Sequence, residues 1–339
     1  MKKRNGILML AISVAVAVLA LADMATGAAR LSIAEIWRGL WGQSADESVR
    51  YIVMHFRLPK TVTALLSGAA LSAAGLQMQT LFRNPLAGPY VLGVSSGASL
   101  GVAAFILGMP LLGISTHGTW WGAIGMVGAA WIGAAAILVI IMAVTTRIKD
   151  IMAVLILGMM FGSAATAVVE ILQYMSPEGA VKSYVVWTMG SLGGVLLSDL
   201  RILVPVIAAG LAISIALIKP LNMLLLGENY ARTMGLDIKA TRLWIFLSTI
   251  LLAGTVTAFC GPIGFIGLAV PHIVRMIFRE ADHRTLMPAS ILTGGGLMLL
   301  CDIASQLPSG DLTLPVNTVT ALIGIPVIIA VILRTRKTA

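Results

Sequence analysis

Few side chains here can do chemistry, and their spacing rules most of it out. Four histidines occur, His55, His117, His272 and His283. No two stand at the i, i+4 spacing that pairs them on a metal, and the last sits in the loop-like run ADHR, so all four read as surface or packing residues. Cys260 and Cys301 are the only cysteines and both lie in apolar runs; two distant thiols match no zinc pattern and read as buried, free groups. No G-x-x-x-x-G-K-[ST] run is present to cradle a phosphate, and no Ser, His and Asp set is placed for nucleophilic attack. Glu170 and Asp302 fall toward the ends of apolar segments, near interfacial water. The midplane carboxylate that a proton-coupled carrier uses is missing. No cofactor or metal is therefore expected in this chain. What remains is one polar island, LLLGENYARTMGLD, from Leu224 to Asp237.

The island stands out because its surroundings are so apolar. The 339 residues are 58% hydrophobic and 11% charged, with mean hydropathy +0.98, against about 25% charged for an average soluble domain. A bilayer core admits only helices or closed barrels, and strand-like alternation is absent, so the expectation is one all-helical membrane domain covering 1–339. Each crossing needs about 20 apolar residues. Ten runs qualify, at about 6–25, 58–81, 91–109, 120–145, 150–172, 200–218, 241–260, 263–278, 286–306 and 313–333. The opening MKKRNGILMLAISVAVAVLALADMATGAAR has a basic head and small residues, as a cleaved signal would. Its apolar run is long for that, and losing it would leave an odd number of spans, so it reads as an uncleaved first helix.

The net charge of +9 is explained by topology. With the N-terminus in the cytoplasm, Lys2, Lys3, Arg4, Arg83, Lys219, Arg232, Lys239, Arg275, Arg279 and seven more of the 23 basic residues face inward, which satisfies the positive-inside rule with both termini cytoplasmic. The basic residues are spread among loops without a basic aromatic groove, so nucleic acid is not an expected partner.

The polar island then lies in the longest inward-facing loop, about 219–240. Leu226, Tyr230 and Met234 recur at the spacing of one helix face. Gly235 suits a left-handed helix end and Asp237 the cap of the next helix. Two short helices with an apolar face are expected, lying at the membrane surface and open to a soluble partner. Two other breaks stand out. In QTLFRNPLAGPYVLGVSSGASLG, Pro85 and Pro89 force turns, and Gly93, Ser95, Ser96, Gly97, Ser99 and Gly101 permit close helix approach. In AFCGPIGFIGLAVPHIVR the spacing of Gly261 and Pro271 repeats that of Gly75 and Pro85. Arg57-Leu58 and Arg242-Leu243 precede them in the same way, a hint of an inverted repeat, an arrangement common in transporters.

Three long motifs, RLPKTVTALLSGAALSAAGLQMQTLFRNPLAGPYVLGVSSGA, GPIGFIGLAVPHIVR with ADHRTLMPAS, and LPVNTVTALIGIPV, stand in order from about Arg57 to Val331. Together they resemble the FecCD and BtuC-like permeases of type II ABC importers, which import ferric siderophores, haem and vitamin B12. The resemblance implies that Gly227, Glu228, Ala231, Arg232, Gly235 and Leu236 form coupling helices seated on an ATPase subunit. It implies a cytoplasmic gate at Asn84, Pro85 and Leu86. It implies binding-protein docking by Arg57 and Lys60, although Gln306 stands where a second basic residue is common. The implied assembly is two permease copies, identical or paralogous, two cytoplasmic ABC ATPases that bind ATP and Mg, and a periplasmic binding protein. The chain itself would be a non-catalytic subunit in the bacterial inner membrane, carrying a ferric siderophore or haem. A corrinoid is the close alternative and an ion-coupled carrier the more distant one.

Overall fold

A computed structural model describes residues 2–27, 31–42, 46–90, 93–111, 120–145, 151–307 and 313–336. His117, the first two residues of the expected third span and both ends of the 1–339 reading lie outside these residues. In chain order the helices are α1 (Lys2–Ala25), α2 (Ile33–Leu40), α3 (Glu47–Ile52), α4 (Leu58–Leu81), α5 (Val94–Ala103), α6 (Met109–Leu111), α7 (Trp120–Thr145), α8 (Ile151–Met175) and α9 (Glu178–Thr188). They continue with α10 (Leu200–Ala216), α11 (Ile218–Leu225), α12 (Glu228–Thr233), α13 (Ile238–Thr249), α14 (Thr255–Cys260), α15 (Ile266–Phe278), α16 (His283–Ser305) and α17 (Val316–Arg336). Wider π-helical turns bridge α3 to α4, α5 to α6 and α13 to α14. No strand occurs among the described residues.

Each expected span is filled by a helix. Seven runs are long and apolar enough to cross a bilayer, α10 and α11 pass together as a pair bent by 48°, and the apolar stretches Ile266–Phe278 and Val316–Ala330 occupy the remaining two positions. One boundary moves. The second span starts at Glu47 instead of residue 58, because the π turn Val53–Arg57 carries the helix through without a break. Arg57 is thereby inside a helix and not at its mouth.

The core is built around α4, which packs against α1, α10, α13, α15 and α16. Two glycines explain how so many neighbours reach it. A methyl group at Gly68 would lie 2.1 Å from the Gly294 carbonyl oxygen of α16, and one at Gly75 would lie 1.8 Å from that of Gly267 in α15. In a bilayer, where lipid is as apolar as the side chains, such close backbone contact supplies much of the association. Polar ties add direction. Ser72 donates to Ser290 O at 2.7 Å, and the Gln77 amide nitrogen lies 2.5 Å from Ser214 Oγ and 3.2 Å from Ser248 Oγ, joining α4 to α10 and α13. A second group, α5, α7 and α8, closes through Gly97 against Gly133 and Gly101 against Ala129, so the glycine stretch after residue 92 serves close approach as expected.

Candidate coupling and gating site

The polar island folds as two short helices separated by Leu226 and Gly227. Helix α11 buries Leu221 and Leu224 against α4 and α16. Gly227, at φ +103°, breaks it and starts α12. A side chain there would be strained by that angle. At the far end, Gly235 at φ +85° lets its own N–H reach Arg232 O and that of Leu236 reach Ala231 O, a glycine stop for α12. Asp237 then caps α13 by accepting from Ala240 N at 3.1 Å. Both features follow from local chemistry, and the sequence predicts both.

The spacing of Leu226, Tyr230 and Met234 suggests one continuous face, and here the structure differs. Gly227 interrupts that face, and α12 spans only Glu228–Thr233. All three side chains are nonetheless exposed. Ala231 is the residue of α12 that is buried, while Arg232 and Gly235 are exposed and Leu236 is half-buried. Glu228 is held by an ion pair to Arg242 of α13, which fixes α12 against the next span. The island thus presents an apolar row with charged flanks.

The turn after α4 lies beside it. The N–H groups of Arg83 and Asn84 bond back to Thr80 O and Gln79 O at 3.2 and 3.1 Å, and Asn84 Oδ1 accepts from Leu86 N at 2.8 Å. His272 Nε2 donates to Pro85 O at 2.8 Å, tying the turn to α15. Leu86 projects outward, 42% exposed. A methyl at Gly227 would lie 3.7 Å from the Arg83 guanidinium, so the coupling and gating candidates are neighbours.

Behind the turn lies a buried polar cluster that sequence reasoning missed. His283 is fully buried at the start of α16. Its Nδ1 and its backbone nitrogen both lie 2.8 Å from Asn222 Oδ1, and its Nε2 lies 2.8 Å from Thr80 Oγ1. Asn222 Nδ2 donates to Asp282 Oδ1 at 2.6 Å. The N–H of Arg284 is the chief influence keeping the Asp282 carboxyl below the usual carboxylate range, and the Asn222 amide adds to it. Asp282 is therefore ionised at neutral pH. Arg275 Nη1 donates to Gln79 Oε1 at 2.5 Å.

At the opposite end of α4, Arg57 and Lys60 turn inward. Arg57 is 6% exposed. Lys60 Nζ lies 2.8 Å from Asp302 Oδ2 and 3.6 Å from Asp23 Oδ1. Gln306 donates to Asp302 Oδ2 at 2.8 Å and Thr61 to Asp23 Oδ2 at 2.5 Å. Asp302, read from sequence as reaching interfacial water, is instead buried in this cluster, while Glu170 is exposed. Asp23 went unnoticed, although a lone carboxylate in an apolar run is a signal in itself. Cys260 and Cys301 are buried and free as expected. A cavity of about 170 Å³ lies elsewhere, and most of the residues lining it, such as Ser95, Ser96 and Ser99 of α5 and Tyr184 and Thr188 of α9, carry a hydroxyl.

Comparison with known proteins gives a consistent picture. The pattern of the FecCD transport family matches residues 14–334. The hemin transport system permease protein HmuU of Yersinia pestis is 36% identical over 325 residues, covering 94% of this chain and 93% of its own length. The Fe(3+) dicitrate transport system permease protein FecD of Escherichia coli (strain K12) is 34% identical, covering 88% and 91%. A vitamin B12 import system permease protein BtuC of Escherichia coli O9:H4 is 37% identical, covering 84% of each chain. Among solved structures, an inward-facing conformation of a metal-chelate type ABC transporter superposes with a TM-score of 0.82 at 28% identity, covering 96% of this chain and 99% of that one.

Proposed function

The chain belongs to the FecCD transport family, and on that premise we propose that it is the transmembrane subunit of an ATP-binding-cassette importer for a metal chelate. The cargo is a ferric siderophore or haem, with a corrinoid as the alternative; the relatives named for hemin, ferric dicitrate and vitamin B12 support this range. The chain breaks no bond itself. ATP and Mg are bound by a partner ATPase, and the permease requires no cofactor of its own. It sits in the bacterial inner membrane with both termini cytoplasmic, as a single domain over 1–339.

The observation that carries the mechanism is the exposed row of Leu226, Tyr230 and Met234 on a rigid, doubly capped loop. It suits a cleft on a soluble ATPase, with Gly227, Glu228, Ala231, Arg232, Gly235 and Leu236 shaping and orienting the contact. A short helix held this firmly passes on a rigid-body shift. Asn84, Pro85 and Leu86 form the cytoplasmic gate, where an apolar side chain on a proline turn closes the exit against water. Two permease copies enclose the pathway.

Docking of an extracytoplasmic binding protein is assigned to the end of α4 that carries Arg57 and Lys60, where both are largely buried with Asp23 and Asp302. The test of the whole reading is uptake into proteoliposomes by the complex with its native partners, offering haem, ferric dicitrate and cyanocobalamin in turn. Uptake of one of them only with ATP on the ATPase side is expected. Uptake driven by an ion gradient alone would overturn it.

A further inference from the structure

Between the loop and the turn lies a continuous set of polar contacts. Asn222, on α11, bonds through one oxygen to both the backbone and ring nitrogens of His283, at 2.8 Å each. The ring's other nitrogen meets Thr80 Oγ1 at 2.8 Å, in the last turn of α4. The carbonyls of Thr80 and Gln79 hold the N–H groups of Arg83 and Asn84 and so begin the turn that ends in Leu86. Thr80 and His283 are buried, beside the equally buried Gln79 that Arg275 holds.

We propose that Asn222, His283 and Thr80 form a relay that passes displacement of the coupling helices to the Leu86 turn, a positioning role for three residues outside both sites. This rests on the importer reading and deepens it.

Proton accounting shows why these groups suit the task. Asn222 Oδ1 is an acceptor, because the amide nitrogen is donating to Asp282. Nδ1 of His283 therefore carries the hydrogen, and in the neutral ring Nε2 accepts from the Thr80 hydroxyl. That hydroxyl has one proton and two acceptors in reach, His283 Nε2 and Leu76 O at 2.9 Å. It can hold the ring or fall back on its own helix, so its proton stays paired either way, while release leaves the buried Nε2 without a donor and thereby favours the made link. Apolar contacts at the same places would allow sliding; directed hydrogen bonds fix one register.

The experiment uses the assembled complex with ATPase subunits and binding protein in lipid nanodiscs. Leu86→Cys is introduced as a reporter and its labelling by a hydrophilic maleimide is followed with and without ATP. The native thiols are buried and do not compete. With Thr80→Val or Asn222→Ala added, ATP hydrolysis is expected to stay within about twofold of the parent, while the ATP-dependent change in labelling shrinks at least fivefold. Thr80→Ser, which keeps the hydroxyl, is expected to restore it. Variants that match a responsive parent overturn the relay alone. So does a Thr80→Ser that fails to rescue, or an Asn222→Ala that loses hydrolysis as well, since Asn222 then serves assembly. A parent whose labelling ignores ATP removes the importer reading and the relay with it.

Discussion

Lys60 stands between two carboxylates, and its removal has a sign that can be worked out in advance. With the ammonium gone, Asp23 and Asp302 face each other in a site where both are buried. Breaking a buried pair from one side costs about 3–5 kcal/mol, whereas replacing all its members by apolar groups is often neutral or better. Lys60→Met is expected to lower the unfolding temperature of the solubilised protein by several degrees. The quadruple replacement Asp23→Leu, Arg57→Met, Lys60→Met and Asp302→Leu, which also removes the buried guanidinium that both carboxylates attract, is expected to recover it. A Lys60→Met variant that melts with the parent would show that the cluster does not tie these helices. Glu228 invites the opposite comparison. Its pair with Arg242 is partly exposed and worth about 0–1 kcal/mol, so Glu228→Gln should keep ATP-driven uptake within about fivefold. Glu228→Arg sets two guanidinium groups against each other and is expected to abolish uptake while the permease still folds. Normal uptake by that variant would remove Glu228 from the coupling element.

At the scale of elements, the two glycine crossings of α4 are the points of least tolerance. Gly75→Leu has nowhere to put its side chain against Gly267, and the α4 and α15 backbones must separate. Failure to recover folded protein from membranes is the expected result, measured by monodisperse elution in detergent. The turn between α4 and α5 is expected to behave differently, because Leu86 is substantially exposed and packs only in part. Leu86→Ala should fold normally and raise the basal leak of a small fluorescent anion from proteoliposomes; an unchanged leak would take Leu86 out of the gate. The helices themselves were legible in the sequence because hydropathy is local, and so were Gly235 and Asp237, whose roles are set by neighbours within four residues. The relay and the ion cluster were not. Asn222 and His283 lie 61 positions apart in sequence, and their meeting depends on how α11, α4 and α16 pack. The burial of Arg57 and Lys60 was hidden for the same reason, since a basic residue at the apparent start of a span gives no sign that the helix continues beyond it.

Over the whole molecule, α4 and α16 run antiparallel and are fastened at three depths. Lys60 holds Asp302 at one end, Gly68 meets Gly294 and Ser72 bonds Ser290 midway, and Thr80 meets His283 at the other end. A pair pinned in this way behaves as a plank: it tips, but it does not bend or slide. Bending is left to the 48° kink between α10 and α11 and to the π turns, where the backbone ladder is already interrupted. A tilt imposed at the end that carries Thr80 and His283 therefore arrives at the far end as the same tilt. By linkage, any protein that prefers one tilt from outside biases the other end by an equal free energy. The two faces of the membrane would then sense each other through the angle of one stiff pair of helices, with no need for substrate in between.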